Sequence, residues 1–170
     1  MTGHIWLIGM MGAGKTTVGR DLAGRLGMPF VDLDDEVRSD AGVGIPELWE
    51  DEGESGFRRR ETAVLHAAAS GPAAVIAAGG GAVLDHGNVA TMQRSGFVIW
   101  LDVAPEILIE RIVTGSSGRP LLAGTDPPGR IHAITAERRA RYQAAAGLVI
   151  TALDRDQILD TIEAVWNASS

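Results

Sequence analysis

The 170-residue sequence contains no cysteine, a single lysine, a single tyrosine and few aromatic residues overall. Without cysteine the chain can form no disulfide, no thiolate zinc site and no cysteine nucleophile. No apolar run approaches the roughly 20 residues of a membrane-spanning helix, so no membrane partner is expected. Basic residues are also not in excess, because the formal net charge is −7. This charge argues against nonspecific binding to nucleic acid, which needs a basic surface.

The start of the chain has no basic region followed by an apolar stretch and a small-residue cleavage site. A strand-like segment begins almost at once, at Ile5. We therefore expect a cytoplasmic protein with no targeting signal. The length and the ordinary composition, with 45% hydrophobic and 22% charged residues, predict a single domain over residues 1–170. We expect this domain to be a monomer that folds without a metal or a disulfide.

The apolar residues occur in short runs that alternate with helix-like patterns. Val18, Leu22 and Leu26 repeat at four-residue spacing, and another helix is indicated near Pro105, a favourable first-turn residue. The runs are continuous, as in strands that are covered on both faces. The candidate strands are His4–Ile8, Pro29–Leu33, Ala73–Ala78, Phe97–Val103 and Leu148–Thr151. This alternation predicts an α/β fold with a parallel sheet.

The clearest motif follows the first candidate strand. Residues 9–16 read Gly-Met-Met-Gly-Ala-Gly-Lys-Thr and match the phosphate-binding pattern G-x-x-x-x-G-K-[ST]. In such a loop the backbone N–H groups point at phosphates, and the helix that follows adds its positive end. Lys15, the single lysine, can bridge the β- and γ-phosphates, and the hydroxyl of Thr16 can ligate Mg²⁺. The motif therefore predicts ATP and Mg²⁺ as cofactors.

Beyond this loop, four segments resemble the shikimate kinase family. They are Asp32-Leu33-Asp34, Phe57-Arg58-Arg59-Arg60-Glu61, Gly79-Gly80-Gly81, and Arg119-Pro120-Leu121-Leu122 with the later Arg138 and Tyr142. The resemblance implies a three-layer P-loop kinase fold like that of nucleoside monophosphate kinases, with five parallel strands in the order 2-3-1-4-5. It also implies a small-molecule substrate, shikimate, whose 3-hydroxyl receives the γ-phosphoryl group of ATP.

The resemblance also assigns roles to the matching positions. It implies catalytic roles for Lys15, Asp34 and Arg119, and metal binding by Thr16 and Asp32. The implied nucleotide-binding residues are Gly12, Ala13, Gly14, Lys15, Thr16, Thr17, Arg111, Arg119 and Arg155. The implied substrate-binding residues are Asp34, Phe57, Arg58, Glu61, Gly79, Gly80, Gly81 and Arg138. Substrate-binding helices are expected over residues 34–64 and a mobile lid over residues 114–129.

Asp32 and Asp34 also have a physical interpretation of their own. They lie two residues apart at the end of a candidate strand, so in an extended chain both side chains would share a face. Strand ends in open α/β sheets border the ligand crevice. One carboxylate can hold a water of the Mg²⁺ shell, and the other can accept the proton of an attacking hydroxyl. The alternative is that Asp34 and Asp35 only cap the following helix.

Arg58 and Glu61 lie three residues apart on a predicted helix and therefore share a face. Either they form an ordinary surface ion pair, or Glu61 holds Arg58 ready for a substrate carboxylate. Arg59 and Arg60 are expected to be solvated. Packing does not explain the three consecutive glycines at 79–81, which suggest a close approach of backbone to ligand, with a flexible turn as the alternative.

The stretch Thr114–Gly129 contains four glycines and three prolines and is predicted to be a loop. Within it, Arg119 can neutralise charge on the transferring phosphoryl group. Arg111 is a candidate to stack on adenine, or else it is a plain helix-end arginine. The resemblance selects Arg138 over its neighbour Arg139 as the second carboxylate-binding arginine.

The chain departs from the family pattern at a few positions. Ala77 and Ala78 stand where many members have a hydroxyl before the glycines, and Trp49 stands where a smaller aromatic is common. Thr151 and Gln157 stand where an Asp and a Pro are frequent in the adenine-contacting loop, close to Arg155.

Two alternatives stay open. A kinase of the same fold could act on another hydroxylated acid such as gluconate. A regulatory module could bind nucleotide without catalysis, but such a module should have lost Lys15, Asp34 or Arg119, and all three are present.

Substitution of the two polar residues of the phosphate-binding loop should separate chemistry from folding. Lys15→Ala or Thr16→Ala should abolish phosphoryl transfer and leave the chain folded, because both side chains act on phosphate and metal charge. Kinase assays and circular dichroism of the two variants provide the measurement. Near-normal activity of Lys15→Ala would contradict the assignment of the loop.

Overall fold

The fold was described from a computed structural model, which covers residues 3–114, 126–151 and 154–168. Five strands form one parallel sheet in the order β2-β3-β1-β4-β5. They are β1 (His4–Ile8), β2 (Phe30–Asp32), β3 (Val75–Ala77), β4 (Gly96–Leu101) and β5 (Leu148–Ile150). The predicted fold class and strand order are therefore confirmed.

Helices join each pair of consecutive strands, as parallel strands require. They are α1 (Lys15–Leu26), α2 (Leu33–Ala41), α3 (Ile45–Ala69), α4 (His86–Ser95), α5 (Pro105–Thr114), α6 (Pro127–Ala145) and α7 (Arg155–Ala168). A short 3₁₀ helix, Ala82–Leu84, precedes α4. Among the residues that the structure describes, no helix is long and apolar enough to cross a membrane.

Strand β1 lies at the centre of the sheet and carries the phosphate-binding loop at its carboxyl end. All of its residues are buried. Trp6, for example, is fully buried and lies opposite Ile76 of β3 and Val98 of β4. Two covered faces explain why this strand has no polar alternation. The loop that follows is therefore attached to the most buried element of the fold.

Four of the five predicted strands extend too far along the chain. β2 ends at Asp32, and Leu33 is already the first residue of α2. β4 ends at Leu101, two residues before Val103. Leu33 and Val103 are nevertheless buried. The predicted strands followed the apolar residues beyond the true strand ends. The strands end where their backbone pairing ends, and this pairing cannot be read from the sequence.

Helix α3 bends at Gly53, whose φ of 68° and ψ of −177° are not helical. Leu48, before the bend, and Phe57, after it, both pack against Val37 of α2 in a small apolar cluster. A separate and larger core surrounds the sheet. The bend therefore allows both halves of α3 to contribute to a second core between α2 and α3.

The predicted loop over Thr114–Gly129 is helical at both of its ends. Thr114 belongs to α5, and α6 begins at Pro127 with Asp126 as its N-cap, which accepts a hydrogen bond of 2.9 Å from the N–H of Gly129. Proline suits the first helical turn because its missing N–H would have no partner there. The predicted lid residue Arg119 lies outside the described residues.

Two helical glycines should respond to alanine with opposite signs. Gly24 is exposed in the interior of α1, and no atom lies within 4 Å of the position of an added Cβ. Gly24→Ala should raise the free energy of unfolding by about 0.5–1 kcal/mol. Gly53→Ala also meets open space, but its backbone region is nearly exclusive to glycine, so it should lower the same free energy by about 1–3 kcal/mol. Urea unfolding measures both, and a stabilised Gly53→Ala would contradict the bend.

Candidate active site

A cavity of about 780 Å³ opens where β1, β2 and β3 end. It collects nearly all of the residues predicted for the site. Those that line it are Gly12, Ala13, Gly14, Lys15, Thr16, Thr17, Asp32, Asp34, Phe57, Arg58, Glu61, Gly80, Gly81, Arg111, Arg138 and Arg155. Gly79 is not part of the lining, and Arg119 lies outside the described residues.

The loop between β1 and α1 has the backbone that its motif predicts. Gly12 and Gly14 have φ values of 80° and 94°, in the left-handed region that favours glycine. α1 begins at Lys15, and no side chain caps it at Gly14. The Nζ atom of Lys15 donates to the carbonyl oxygens of Gly9 and Met10, at 2.8 and 3.0 Å. The compact ammonium therefore lies over a loop whose uncapped helix end favours an anion.

Thr16 and Asp32 bring two oxygen donors together beside this loop. The hydroxyl of Thr16 donates to Oδ2 of Asp32 at 2.6 Å. Oxygen donors suit Mg²⁺, which keeps several of its waters and needs few protein ligands. Among the described residues, no group of three or more His, Cys, Asp or Glu side chains could hold a metal ion. The two side chains fit a Mg²⁺ site.

The expected arrangement of Asp32 and Asp34 on an extended strand end is wrong. The chain enters α2 directly after Asp32, whose Oδ1 accepts the N–H of Asp34 at 3.0 Å as the helix cap. Capping and metal binding are therefore compatible in one side chain, since Oδ2 of the same carboxylate faces Thr16. The helical turn still leaves both carboxylates at the cavity.

Asp34 is half-buried in the cavity wall. Burial raises the pKa of its carboxyl above the ordinary value, the charge of Lys15 acts in the opposite direction, and the nearby Asp32 adds to the rise. A raised pKa brings a carboxylate closer to the neutral range in which general bases work best. The environment of Asp34 therefore suits a general base.

Arg58 and Glu61 form a largely buried ion pair and not an exposed surface contact. Nη1 of Arg58 donates to Oε2 of Glu61 at 2.6 Å, and the Glu61 side chain is only 2% exposed. Burial raises the pKa of Glu61, and the charge of Arg58 opposes that rise. The Arg58 side chain remains 22% exposed at the cavity. The pair thus holds one guanidinium at a fixed position with its outer edge towards the cavity.

Arg59 is exposed as expected, and Arg60, whose side chain is 32% exposed, lies outside the cavity and forms ion pairs. Arg60 donates to Glu52 and to Asp40, each at 2.7 Å. Glu52 precedes the bend of α3 and Arg60 follows it, so a straight helix would keep these residues, eight positions apart, out of contact. The bend at Gly53, which sequence patterns did not predict, brings these partners together.

The glycines at 79–81 have a packing role, contrary to the expectation. A Cβ on Gly79 would lie 2.2 Å from Oε1 of Glu61, and a Cβ on Gly81 would lie 2.1 Å from Nη1 of Arg58. A Cβ on Gly80 would meet its nearest atom at 3.5 Å, which is an ordinary contact. None of the three has a positive φ. The outer two glycines therefore make room for the Arg58–Glu61 pair.

Arg138, and not Arg139, belongs to the cavity. Arg138 is 5% exposed, lines the cavity and donates from Nη1 to the carbonyl oxygen of Gly80 at 3.0 Å. Arg139 forms a two-fold hydrogen bond with Asp102 at 2.8 and 3.0 Å. The choice that the resemblance made between the two arginines agrees with this geometry.

Tyr142 is a residue of the site that sequence reasoning did not assign. Its hydroxyl donates to the carbonyl oxygen of Gly80 at 2.5 Å. The signal was the four-residue spacing from Arg138, which puts two side chains on the same face of a helix. Sequence reasoning likewise missed the cavity-lining residues Arg38, Ile45 and Pro46.

The remaining predicted nucleotide contacts lie at the other end of the cavity. Arg111 donates from Nη1 to the carbonyl oxygen of Gly12 at 3.2 Å, so it contacts the phosphate-binding loop. Arg155 lines the cavity and forms an ion pair with Asp21 at 3.2 Å. Near the substrate residues, the rings of Trp49 and Phe57 lie 5.7 Å apart in the cavity wall. Trp49, one of the departures from the family pattern, thus faces the cavity.

Comparisons with known proteins agree on one family. The family model described as shikimate kinase matches residues 11–166. A shikimate kinase of Symbiobacterium thermophilum is 51% identical over 160 residues, which cover 94% of this chain and 91% of that protein. The structure of shikimate kinase from Acinetobacter baumannii in complex with shikimate matches with a TM-score of 0.94 at 35% identity, over 100% of this chain and 96% of the other.

The fold extends to more distant kinases. A gluconokinase from Sinorhizobium meliloti matches with a TM-score of 0.58 at 16% identity, over 99% of this chain and 98% of the other. This likeness shows a common fold alone.

The glycines at 79–81 provide a matched set of substitutions. Gly79→Ala and Gly81→Ala should each lower the free energy of unfolding by about 1–3 kcal/mol, because the added methyl displaces the buried ion pair. Gly80→Ala should stay within about 1 kcal/mol of the unmodified chain, because its methyl meets only ordinary contacts. Denaturant unfolding measures all three. Equal losses would show that the glycines serve backbone freedom and not the space beside Arg58 and Glu61.

Proposed function

The chain belongs to the shikimate kinase family, and on this premise we propose that it transfers the γ-phosphoryl group of ATP to the 3-hydroxyl of shikimate with Mg²⁺ bound. The observation that carries the proposal is one cavity in which the phosphate-binding loop, a half-buried carboxylate and two arginines meet. Phosphoryl transfer is mainly a matter of positioning and of neutralising charge, and these groups supply both.

The nucleotide end of the cavity is assigned to the loop and to the first turn of α1. The backbone N–H groups before Lys15 bind phosphate oxygens, and Lys15 provides the positive charge next to them. Thr16 and Asp32 would hold Mg²⁺, which neutralises phosphate charge when it is bound. The hydrogen bond of 2.6 Å between these two side chains supports a shared role.

The acid of the substrate is assigned to Arg58 and Arg138. Charge-assisted hydrogen bonds from a guanidinium to a carboxylate are worth about 1.5–3 kcal/mol each. Glu61 holds Arg58 through its 2.6 Å contact, so little side-chain entropy is lost when the carboxylate binds. Two arginines on separate helices, α3 and α6, would fix the orientation of the ring as well as its charge.

Asp34 is assigned as the acceptor of the hydroxyl proton. The carboxylate must be ionised to accept it, and the ammonium of Lys15 favours that form against the effect of burial. The proton passes from the 3-hydroxyl to an oxygen of Asp34 while the hydroxyl oxygen forms a bond to the γ-phosphorus. The bond between that phosphorus and the β–γ bridging oxygen breaks, and ADP leaves. Arg119 is proposed to neutralise charge on the transferring group as part of a lid. That role stays a prediction, as do the monomeric state and the cytoplasmic location.

A substrate panel tests the assignment. A coupled assay of ADP release should give turnover with shikimate and little with quinate, gluconate or nucleoside monophosphates. The methyl ester of shikimate should bind poorly, because it lacks the charge that the arginines are proposed to recognise. Preference for gluconate, or equal binding of acid and ester, would reject the proposal.

The pH dependence of the reaction tests Asp34. The ratio kcat/KM should fall as the pH falls, because protonated Asp34 cannot accept a proton. Since burial raises its pKa, the fall should begin at a higher pH than it would for an ordinary aspartate. Asp34→Asn should lower kcat by roughly 10²- to 10⁴-fold and should lose this acid limb.

Asp35→Asn is the matched control for this experiment. Asp35 is the next residue of α2 and is exposed, and it pairs with Arg38. Its loss should leave kcat nearly unchanged and move the acid limb only slightly towards lower pH, because the charge of Asp35 makes the smallest contribution to the raised pKa of Asp34. An unaltered acid limb in Asp34→Asn would assign the proton transfer to another group.

A further inference from the structure

The carbonyl oxygen of Gly80 is the acceptor of two hydrogen bonds from α6. Arg138 donates from Nη1 at 3.0 Å, and Tyr142 donates from its hydroxyl at 2.5 Å. The two donors are buried, at 5% and 1% exposure. They lie four residues apart and so project from the same face of the helix. One backbone oxygen thus joins a proposed substrate-binding arginine to a tyrosine that has no assigned role.

The carbonyl group of Gly80 lies in a short turn whose backbone is itself hydrogen-bonded. The N–H of Ala82 donates to the carbonyl oxygen of Gly79 at 3.1 Å, and the N–H of Leu84 donates to that of Gly81 at 2.9 Å. The side chains of Glu61 and Arg58 occupy the space beside Gly79 and Gly81. The carbonyl oxygen of Gly80 receives its two side-chain hydrogen bonds from α6, so a donor on that helix helps to hold this carbonyl group in place.

Tyr142 has the properties of such a donor. Burial raises the pKa of its phenol to about 12, with the charge of Arg138 acting in the opposite direction. The hydroxyl therefore keeps its proton and remains a donor over the neutral range. A hydrogen bond from a buried phenol also has little competition from water.

The ring of Tyr142 is itself fixed against the central sheet. It stacks on Trp100 of β4, with ring centres 5.6 Å apart and planes inclined by 19°. The guanidinium of Arg139 lies 5.1 Å from the centre of the Trp100 ring and is held by Asp102, which follows β4. The position of the phenol is thus fixed by contacts with β4 and not by the glycine segment.

We propose that Tyr142 is a positioning residue for the kinase reaction. Through the Gly80 carbonyl it holds Arg138 in the orientation that receives the substrate carboxylate. Among the described residues, the buried Nε atom of Arg138 has no hydrogen-bond partner, so the orientation of the guanidinium depends on the Nη1 contact with Gly80. The inference rests on the proposed function of Arg138 as a carboxylate-binding residue.

The expected consequence is a loss of substrate affinity without a loss of nucleotide affinity. Tyr142→Phe removes the hydroxyl and retains the stacked ring. It should raise the dissociation constant and the KM for shikimate by roughly 3- to 12-fold, the range of one ordinary hydrogen bond. The KM for ATP should change less than the KM for shikimate, because the hydroxyl of Tyr142 donates to Gly80 and not to a residue of the phosphate-binding loop.

A double-mutant cycle distinguishes positioning from a general effect on the fold. Shikimate binding is measured by calorimetry for the unmodified chain, Tyr142→Phe, Arg138→Ala and the double variant. If Tyr142 acts through Arg138, its substitution should have no further effect once Arg138 is absent. An equal loss in both backgrounds would overturn the proposal.

Thr135→Val is the matched control. Thr135 is also buried on α6, and within the described part of the chain its hydroxyl has no hydrogen-bond partner. This substitution removes a buried hydroxyl of the same helix at nearly constant volume. It should leave the affinity for shikimate unchanged, and a loss equal to that of Tyr142→Phe would assign both effects to the packing of α6.

The single tyrosine of the sequence allows a second measurement that needs no substitution at 142. Incorporation of 3-fluorotyrosine labels Tyr142 alone. Its ¹⁹F resonance should shift when shikimate is added to the unmodified chain and should not shift in Arg138→Ala at saturating shikimate. This measurement tests the proposal even if Tyr142→Phe folds poorly. A resonance that does not shift when shikimate is added would overturn the proposal.

The outcomes also separate the inference from the function beneath it. A normal Tyr142→Phe beside a weakened Arg138→Ala rejects the positioning role alone and leaves the carboxylate assignment intact. Normal binding by Arg138→Ala rejects the carboxylate assignment, and the positioning role is rejected with it.

Discussion

The buried contact between Arg58 and Glu61 is the constraint on which the rest of the cavity depends. A carboxylate that is 2% exposed keeps its charge only with a cation at close range, and that cation is the group proposed to bind substrate. The same contact explains why residues 79 and 81 lack side chains. It also places a second acidic group near Asp34, whose pKa is raised chiefly by burial. One ion pair therefore occupies the space beside residues 79 and 81 and also holds the guanidinium proposed to bind substrate.

The chain is acidic overall, although its proposed ligands are anions. The local arrangement of cationic side chains resolves this conflict. The formal net charge is −7, yet the groups proposed to bind phosphate and carboxylate are cationic and border a single cavity. Some of the acids outside the cavity pair with other arginines, as Glu52 and Asp40 do with Arg60. Local field, and not total charge, governs the attraction of a small anion into a cleft.

Sequence patterns predicted the parts of this molecule that local chemistry determines. The loop at residues 9–16 and the apolar strand before it follow from short-range spacing, and Arg58 with Glu61 follows from a shared helix face. The errors arise where contacts between distant parts of the chain determine the structure. The end of β2 depends on pairing with β3, and the partners of Arg60 depend on a bend at Gly53. The role of Tyr142 depends on a carbonyl group 62 residues away. The pairing of β2 and the bend at Gly53 leave no periodic pattern in the sequence, and the spacing of Tyr142 from Arg138 indicates a shared helix face but not the carbonyl group that both contact.

The single lysine has a consequence for the handling of the protein. Apart from the terminal amino group, the amine of Lys15 is the one aliphatic amine in the sequence, and it lies in the phosphate-binding loop. Reagents that acylate amines, including those that attach proteins to dyes, resins or sensor surfaces, would therefore modify the nucleotide site itself. The degree to which bound nucleotide protects Lys15 from labelling would measure the occupancy of that site directly. Arginine, which supplies the other 14 basic residues, is inert to such reagents.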